Sequence, residues 1–183
     1  MLFDEAKYKK ELEEVTTRFS EELKKLKTGK AGMDAFKGIE IDQYGTMSPL
    51  EYAATISFPQ PITANVKPFS KTDVSKIASA IRNANIGGSV VEQSEMVIVN
   101  FLPLTQEDRD TTSKELNALL ENFRIRARNV RQDYMQKVKA LEGVSEDEQK
   151  ASEKKIQELV DANIKSLESI SADKNKEINP NAK

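Results

Sequence analysis

The segment FRIRARNVRQDYMQKVK, residues 123–139, carries Arg124, Arg126, Arg128, Arg131, Lys137 and Lys139 against a single acid, Asp133. It stands in a chain of 183 residues whose formal net charge is −2. Guanidinium groups are the side chains best shaped for bidentate contact with phosphate, and a row of them can follow a nucleic-acid backbone without reading base sequence. On an ideal helix, at about 100° per residue, Arg124, Arg128 and Arg131 fall at i, i+4 and i+7, roughly a quarter turn from an apolar stripe through Phe123, Ala127, Val130 and Tyr134. The spacing predicts three guanidiniums on one exposed stripe. The competing reading of such a face is solvated side chains paired with acids on neighbouring helices. Charge partition favours phosphate in part: residues 142–183 hold ten acids and seven bases, so the positive zone is local.

Few other chemistries are provided for. The chain has no Cys and no His. That excludes disulfides and thiolate catalysis, and removes the usual general base and the commonest zinc or iron ligand. A second basic cluster, KKLKTGK at 24–30, contains Gly29-Lys30, but Ala31 follows where a phosphate-binding loop needs Ser or Thr, and the upstream Gly is missing. The carboxylates are scattered, with no pair at a spacing that specifies an acid and a base or a metal site. No metal, cofactor or small-molecule substrate is expected, and an enzyme is the weakest of the functional classes.

The elements that must position the basic row are legible from apolar spacing. Tyr8, Leu12, Val15, Phe19, Leu23 and Leu26 step by four or three, which predicts a long amphipathic helix stopping at Gly29. Leu116, Leu120, Phe123, Ala127, Val130, Tyr134, Val138 and Leu141 predict a second, with Thr105 and Asp108 at its start and Gly143 as its end cap. Ser145 and Glu148 form a capping box for a third, through Ile156, Leu159, Val160, Ile164, Leu167 and Ile170. A connection of a residue or two makes the last two helices antiparallel neighbours, and the first supplies the partner that buries both stripes. The final INPNAK is expected to fray.

Between Gly29 and Pro103 the pattern changes to short β runs: GIEIDQY (38–44), AATISF (53–58), ITANVKPF (62–69), SVVE (89–92) and MVIVNF (96–101). One helix interrupts them, with Ser70 and Asp73 as its capping pair, an apolar face of Val74, Ile77, Ala78 and Ile81, and Gly87-Gly88 after its end. Tyr44 and Gly45 fit a strand end and its turn. The fold class is α+β: an antiparallel three-helix bundle, residues 1–29 and 105–183, with a small inserted α/β, β-rich domain at 30–104. Two short crossings join the domains, and a hinge is expected at Gly29, Lys30, Ala31 and Gly32 and again at Leu102, Pro103, Leu104 and Thr105. The N-terminal MLFDEAKYKKELEE has acids where a signal peptide is apolar, and no run approaches the roughly 20 apolar residues that span a bilayer. A cytoplasmic protein without a membrane partner is expected.

Four pieces, LKTGKAG (26–32), IEIDQYGTMSPL (39–50), PLTQEDR (103–109) and ARNVRQDYMQKVKAL (127–141), stand in an order and spacing that resembles the bacterial ribosome recycling factor family. The resemblance covers essentially the whole chain. It implies an L-shaped monomer whose bundle arm binds large-subunit ribosomal RNA at the subunit interface of the post-termination ribosome. It also implies elongation factor G as the partner with which the ribosome is split into subunits, releasing mRNA and tRNA, after which initiation factor three keeps the subunits apart. GTP hydrolysis then belongs to the partner.

On the residues, the resemblance implies RNA contacts at Arg128 and Arg131, with Arg109 and the basic end of the first helix, Lys27 and Lys30, nearby; Arg124 joins them by its place on the same stripe. It makes the inserted domain the part that elongation factor G pushes about the hinge. Lys27 and Lys30 stand where the family often has Arg, Asp108 and Gln132 where it is often basic, and IGGSV (86–90) replaces the usual loop. The tip joining the second and third helices is shorter. Lys cannot reproduce a bidentate Arg contact. The alternative function is a helical, coiled-coil-like adaptor that binds a protein partner through an apolar groove.

Overall fold

The computed structural model describes residues 1–181. They form two compact units, one of Met1–Leu26 with the chain from Gln106 onward, the other of Lys27–Thr105. In the first unit, α1 (Glu5–Lys24), α3 (Gln106–Lys139) and α4 (Glu146–Ile178) pack pairwise. In the second, α2 (Val74–Ala84) packs against strands β1 (Glu40–Gln43), β4 (Thr63–Pro68), β5 (Gly88–Glu92) and β6 (Val97–Phe101). The remaining strands are β2 (Thr46–Pro49) and β3 (Ala54–Gln60).

The bundle core is built by the predicted stripes. Tyr8, Leu12, Val15, Phe19 and Leu23 of α1 meet Leu116, Phe123, Ala127, Tyr134 and Val138 of α3 and Ile156, Val160 and Leu167 of α4. Each large side chain so buried contributes about 1.5–3 kcal/mol of transfer free energy. The rings of Phe19 and Phe123 lie 5.2 Å apart, and Phe3 meets Tyr8 and Tyr134 edge-on. At 34 residues, α3 is a rod of about 50 Å.

Helix ends depart from the sequence expectation in three places. α1 stops at Lys24, with Lys25 still right-handed, because Leu23 is its last buried side chain. Gly29 does adopt φ 71°, but as part of the second unit, where a Cβ would come within 3.0 Å of Leu104 Cγ. The α3–α4 connection is longer than a residue or two: α3 ends at Lys139, Leu141 is 43% exposed, and the backbone closes through Leu141 N–H to Val138 O before Gly143 turns at φ 73°. α2 is entered through a 3₁₀ turn, Lys71–Asp73, so neither Ser70 nor Asp73 caps it by a side chain, and Asn85 in the left-handed region ends it ahead of Gly87.

The Ser145–Glu148 box forms as expected: Glu148 N–H donates to Ser145 Oγ at 3.2 Å and Ser145 N–H to Glu148 Oε2 at 3.2 Å. The chain end is more ordered than predicted. Ile178 is 1% exposed and Asn179 Nδ2 donates to Ser113 Oγ at 2.9 Å; Ala182 and Lys183 lie outside the described residues.

The second unit holds a four-stranded antiparallel sheet, order β3-β4-β6-β5, and a β1-β2 hairpin. Register pairs Ala64 with Val99 and Val66 with Val97, so four buried residues share the face that meets Ile77, Ala78 and Ile81 of α2. β3 is an edge strand with an irregularity between Ser57 and Gln60, where Pro59, lacking an N–H, is tolerated. The hairpin turns through Tyr44 and Gly45, both at positive φ, with Gly45 N–H donating to Asp42 Oδ1 at 2.8 Å. No helix among the described residues is long and apolar enough to cross a membrane.

Candidate nucleic-acid interface

Because Phe123, Ala127 and Tyr134 are drawn into the core, α3 turns Arg124, Arg128 and Arg131 along the boundary beside that stripe. The three are not equally exposed, as the sequence spacing alone suggests, because α4 lies against this boundary. Arg124 retains 27% of its side-chain surface and Arg128 53%, while Arg131 is half-buried.

Each guanidinium has a different partner. Arg124 is occupied by two carboxylates, Nη1 to Glu121 Oε2 at 3.3 Å and Nη2 to Glu168 Oε1 on α4 at 2.5 Å. These bonds, the one to Glu168 foremost, hold its pKa above the ordinary guanidinium value. Arg128 has a single ion-pair partner among the described residues, Nη1 to Glu121 Oε1 at 3.3 Å. Arg131 Nη1 donates to Gln157 Oε1 at 2.9 Å, and Gln157 in turn donates to Asp161 Oδ1 at 2.8 Å. The Nε atoms of Arg124, Arg131 and Arg109 are enclosed without an acceptor. Beside Arg131 a groove of about 460 Å³ runs past Met135, Gln136 and Lys139 to Glu153.

The other expected residues are more dispersed. Arg109 is half-buried near the start of α3, about 22 Å along the axis from Arg124. Lys27 and Lys30 are exposed but lie past the end of α1, in the second unit, and so do not form a basic helix end. Of the hinge residues, Ala31 N–H donates to Pro61 O at 2.7 Å, Gly29 abuts Leu104, Gly32 is extended with open space about it, and Leu102 is 78% exposed. Arg126 lies with its guanidinium 4.4 Å from the ring centre of Phe123 and Lys137 with its ammonium 4.8 Å from that of Tyr134, so part of the basic segment packs on its own aromatics.

Glu121, Glu168 and Gln157 were not singled out by sequence. Glu121 sits three residues before Arg124, a spacing that signals an ion pair on any helix. Glu168 and Gln157 reach the stripe only through the α3–α4 hairpin. Among the described residues no cluster of acids could hold a metal ion.

The family model for ribosome recycling factor matches residues 19–178. The chain belongs to the ribosome recycling factor family. Among curated relatives, the ribosome-recycling factor of Cytophaga hutchinsonii is 37% identical over 159 residues, 86% of each chain. That of Leuconostoc citreum is 32% identical over 178 residues, 97% of this chain and 98% of the relative.

Solved structures agree. A solution structure of the ribosome recycling factor superposes with a TM-score of 0.73 at 29% identity, covering 93% of this chain and 92% of that one. A second match, TM-score 0.61 at 27% identity and covering 94% and 95%, is to models of the T. thermophilus ribosome recycling factor and the E. coli elongation factor G bound to the E. coli post-termination complex. The family thus joins a helical bundle to a small antiparallel sheet domain, as this chain does.

Proposed function

We propose that this chain recycles post-termination ribosomes: together with elongation factor G and GTP it separates the subunits and frees mRNA and tRNA. The observation that carries this reading is the family match over residues 19–178, joined to a related factor described with elongation factor G on a post-termination complex. The chain works in the cytoplasm and contributes binding and leverage, while the nucleotide chemistry belongs to its partner.

Within this reading the α3 stripe is the RNA contact. Arg128, more than half exposed, and Arg131, held by a neutral amide, present the groups that phosphates of large-subunit RNA can engage. Arg124, with a carboxylate on each Nη from Glu121 and Glu168, stiffens the row. Arg109, Lys27 and Lys30 add charge at further points, and the crossings at 29–32 and 102–105 serve as the hinge about which the sheet unit turns.

Equilibrium binding to isolated large ribosomal subunits tests the contact. Affinity should fall steeply with salt, and more gently for Arg128→Ala, because each phosphate contact adds about 0.7–0.9 to the logarithmic salt slope. Salt-independent binding would favour an apolar protein-docking surface instead.

A further inference from the structure

The carboxylate of Glu121 is divided between two arginines, Oε2 on Arg124 and Oε1 on Arg128, both at 3.3 Å. Arg124 has a second carboxylate in Glu168, whereas Arg128 has no other among the described residues. Glu121 itself keeps 50% of its side-chain surface, so it can swing away without opening the core. A carboxylate on the Nη group of Arg128 occupies the position a phosphate oxygen would take, since both are anionic acceptors of the same donor.

We propose that Glu121 is a carboxylate gate on the stripe: it occupies Arg128 in the free protein and must be displaced when an RNA phosphate takes its place. The proposal rests on the reading of the stripe as the RNA contact. Glu121 acts through Arg128 and is therefore an affinity-setting residue, not itself a contact. It keeps Arg128 from taking up stray phosphates, and it weakens the bound state, which suits a factor that must leave the ribosome. Arg131, whose partner is the uncharged Gln157, has no such competitor at its Nη1.

The test is binding of the full chain to isolated large ribosomal subunits as salt is varied, for wild type, Glu121→Gln, Arg128→Ala and Glu121→Gln/Arg128→Ala, with Glu121→Ala as a second replacement. Melting of each variant checks that it is folded. Glu121→Gln is expected to tighten binding about two- to fivefold, the worth of a surface ion pair. It should also steepen the salt slope, because the phosphate contact no longer has to break an ion pair within the protein. In the Arg128→Ala background the gain should vanish.

Glu121→Ala is expected to tighten binding as well. Loss of affinity in either Glu121 variant, or a gain that persists without Arg128, would overturn the gate while a weakened Arg128→Ala kept the RNA contact standing. Undiminished binding by Arg128→Ala would remove the contact and the gate together.

Discussion

Arg131 donates from Nη1 to Oε1 of Gln157 over 2.9 Å, so the arginine beside the α3–α4 groove is tethered to α4 by a neutral amide. The tether fixes a long side chain in place without neutralising it. A bare stripe would have to order its guanidiniums on binding, at up to about 2 kcal/mol of side-chain entropy each.

Arg131→Ala therefore has a structural cost that full exposure would not give. The variant is expected to lose about 0.5–1.5 kcal/mol in urea unfolding and to bind large subunits more weakly. Gln157→Ala should lose a similar increment of stability but bind better than Arg131→Ala, because the cation remains. Equal binding by the two variants would mean that the tether, not the charge, matters.

Ser145 makes the second expectation. Its side chain satisfies Glu148 N–H, and its hydroxyl and backbone N–H both donate to the Glu148 carboxylate, which holds that carboxyl below its ordinary pKa. Since the folded value is depressed, this contribution is present above the ordinary carboxylate range and is lost as pH falls through the lowered value. Ser145→Ala should cost about 1 kcal/mol near neutrality and less in acid. Urea unfolding at both pH values is the check, and a cost that does not change with pH would contradict the linkage.

Tyr134 supplies an alkaline counterpart. Its hydroxyl donates to Glu11 Oε1 at 3.0 Å, and burial first, then this bond, push its pKa up to about 12. The folded state holds the proton more tightly than an unfolded phenol at about 10. Stability from this group is full below about pH 10 and is lost as pH rises toward 12. Tyr134→Phe should flatten that decline in denaturant unfolding, leaving the part due to Tyr8, which burial also raises. An unchanged decline would contradict the assignment.

Two glycines at the first crossing should behave oppositely. Gly29 has φ 71° and would place a Cβ 3.0 Å from Leu104 Cγ, whereas Gly32 is extended, φ −151°, with nothing within 4 Å. Gly29→Ala is expected to destabilise by roughly 1–2 kcal/mol, and Gly32→Ala to be neutral or to stabilise by up to about 1 kcal/mol. Thermal melting decides, and equal effects would refute the backbone reading. Gly32→Pro is a poor probe of motion at this crossing, since proline needs φ near −65°.

The fold was legible wherever one periodicity ran without competition. The stripes from Tyr8 to Leu23 and from Leu116 to Val138 gave the bundle because burial alone sets their spacing. Strand β2 was only half visible, since Thr46–Pro49 carries little β character and is held by pairing with β1. Helix ends were misplaced where glycine marked a turn beyond the helix, as at Gly29 and Gly143. At the candidate interface, residue types and their i, i+4, i+7 order are readable, but the exposure of Arg124 and Arg131 is not. It depends on Glu168 and Gln157, which only the hairpin brings near.

The central claim, that Arg128 and Arg131 anchor the splitting of ribosomes, is tested most directly by light scattering of post-termination ribosomes with elongation factor G and GTP. The comparison is wild type against Arg128→Ala/Arg131→Ala, with Arg126→Ala as the control, since Arg126 stacks on Phe123. The scattering decrease is expected with wild type and Arg126→Ala and should be lost or much slowed in the double variant at matched fold content. A double variant that splits ribosomes as fast as wild type would contradict the claim.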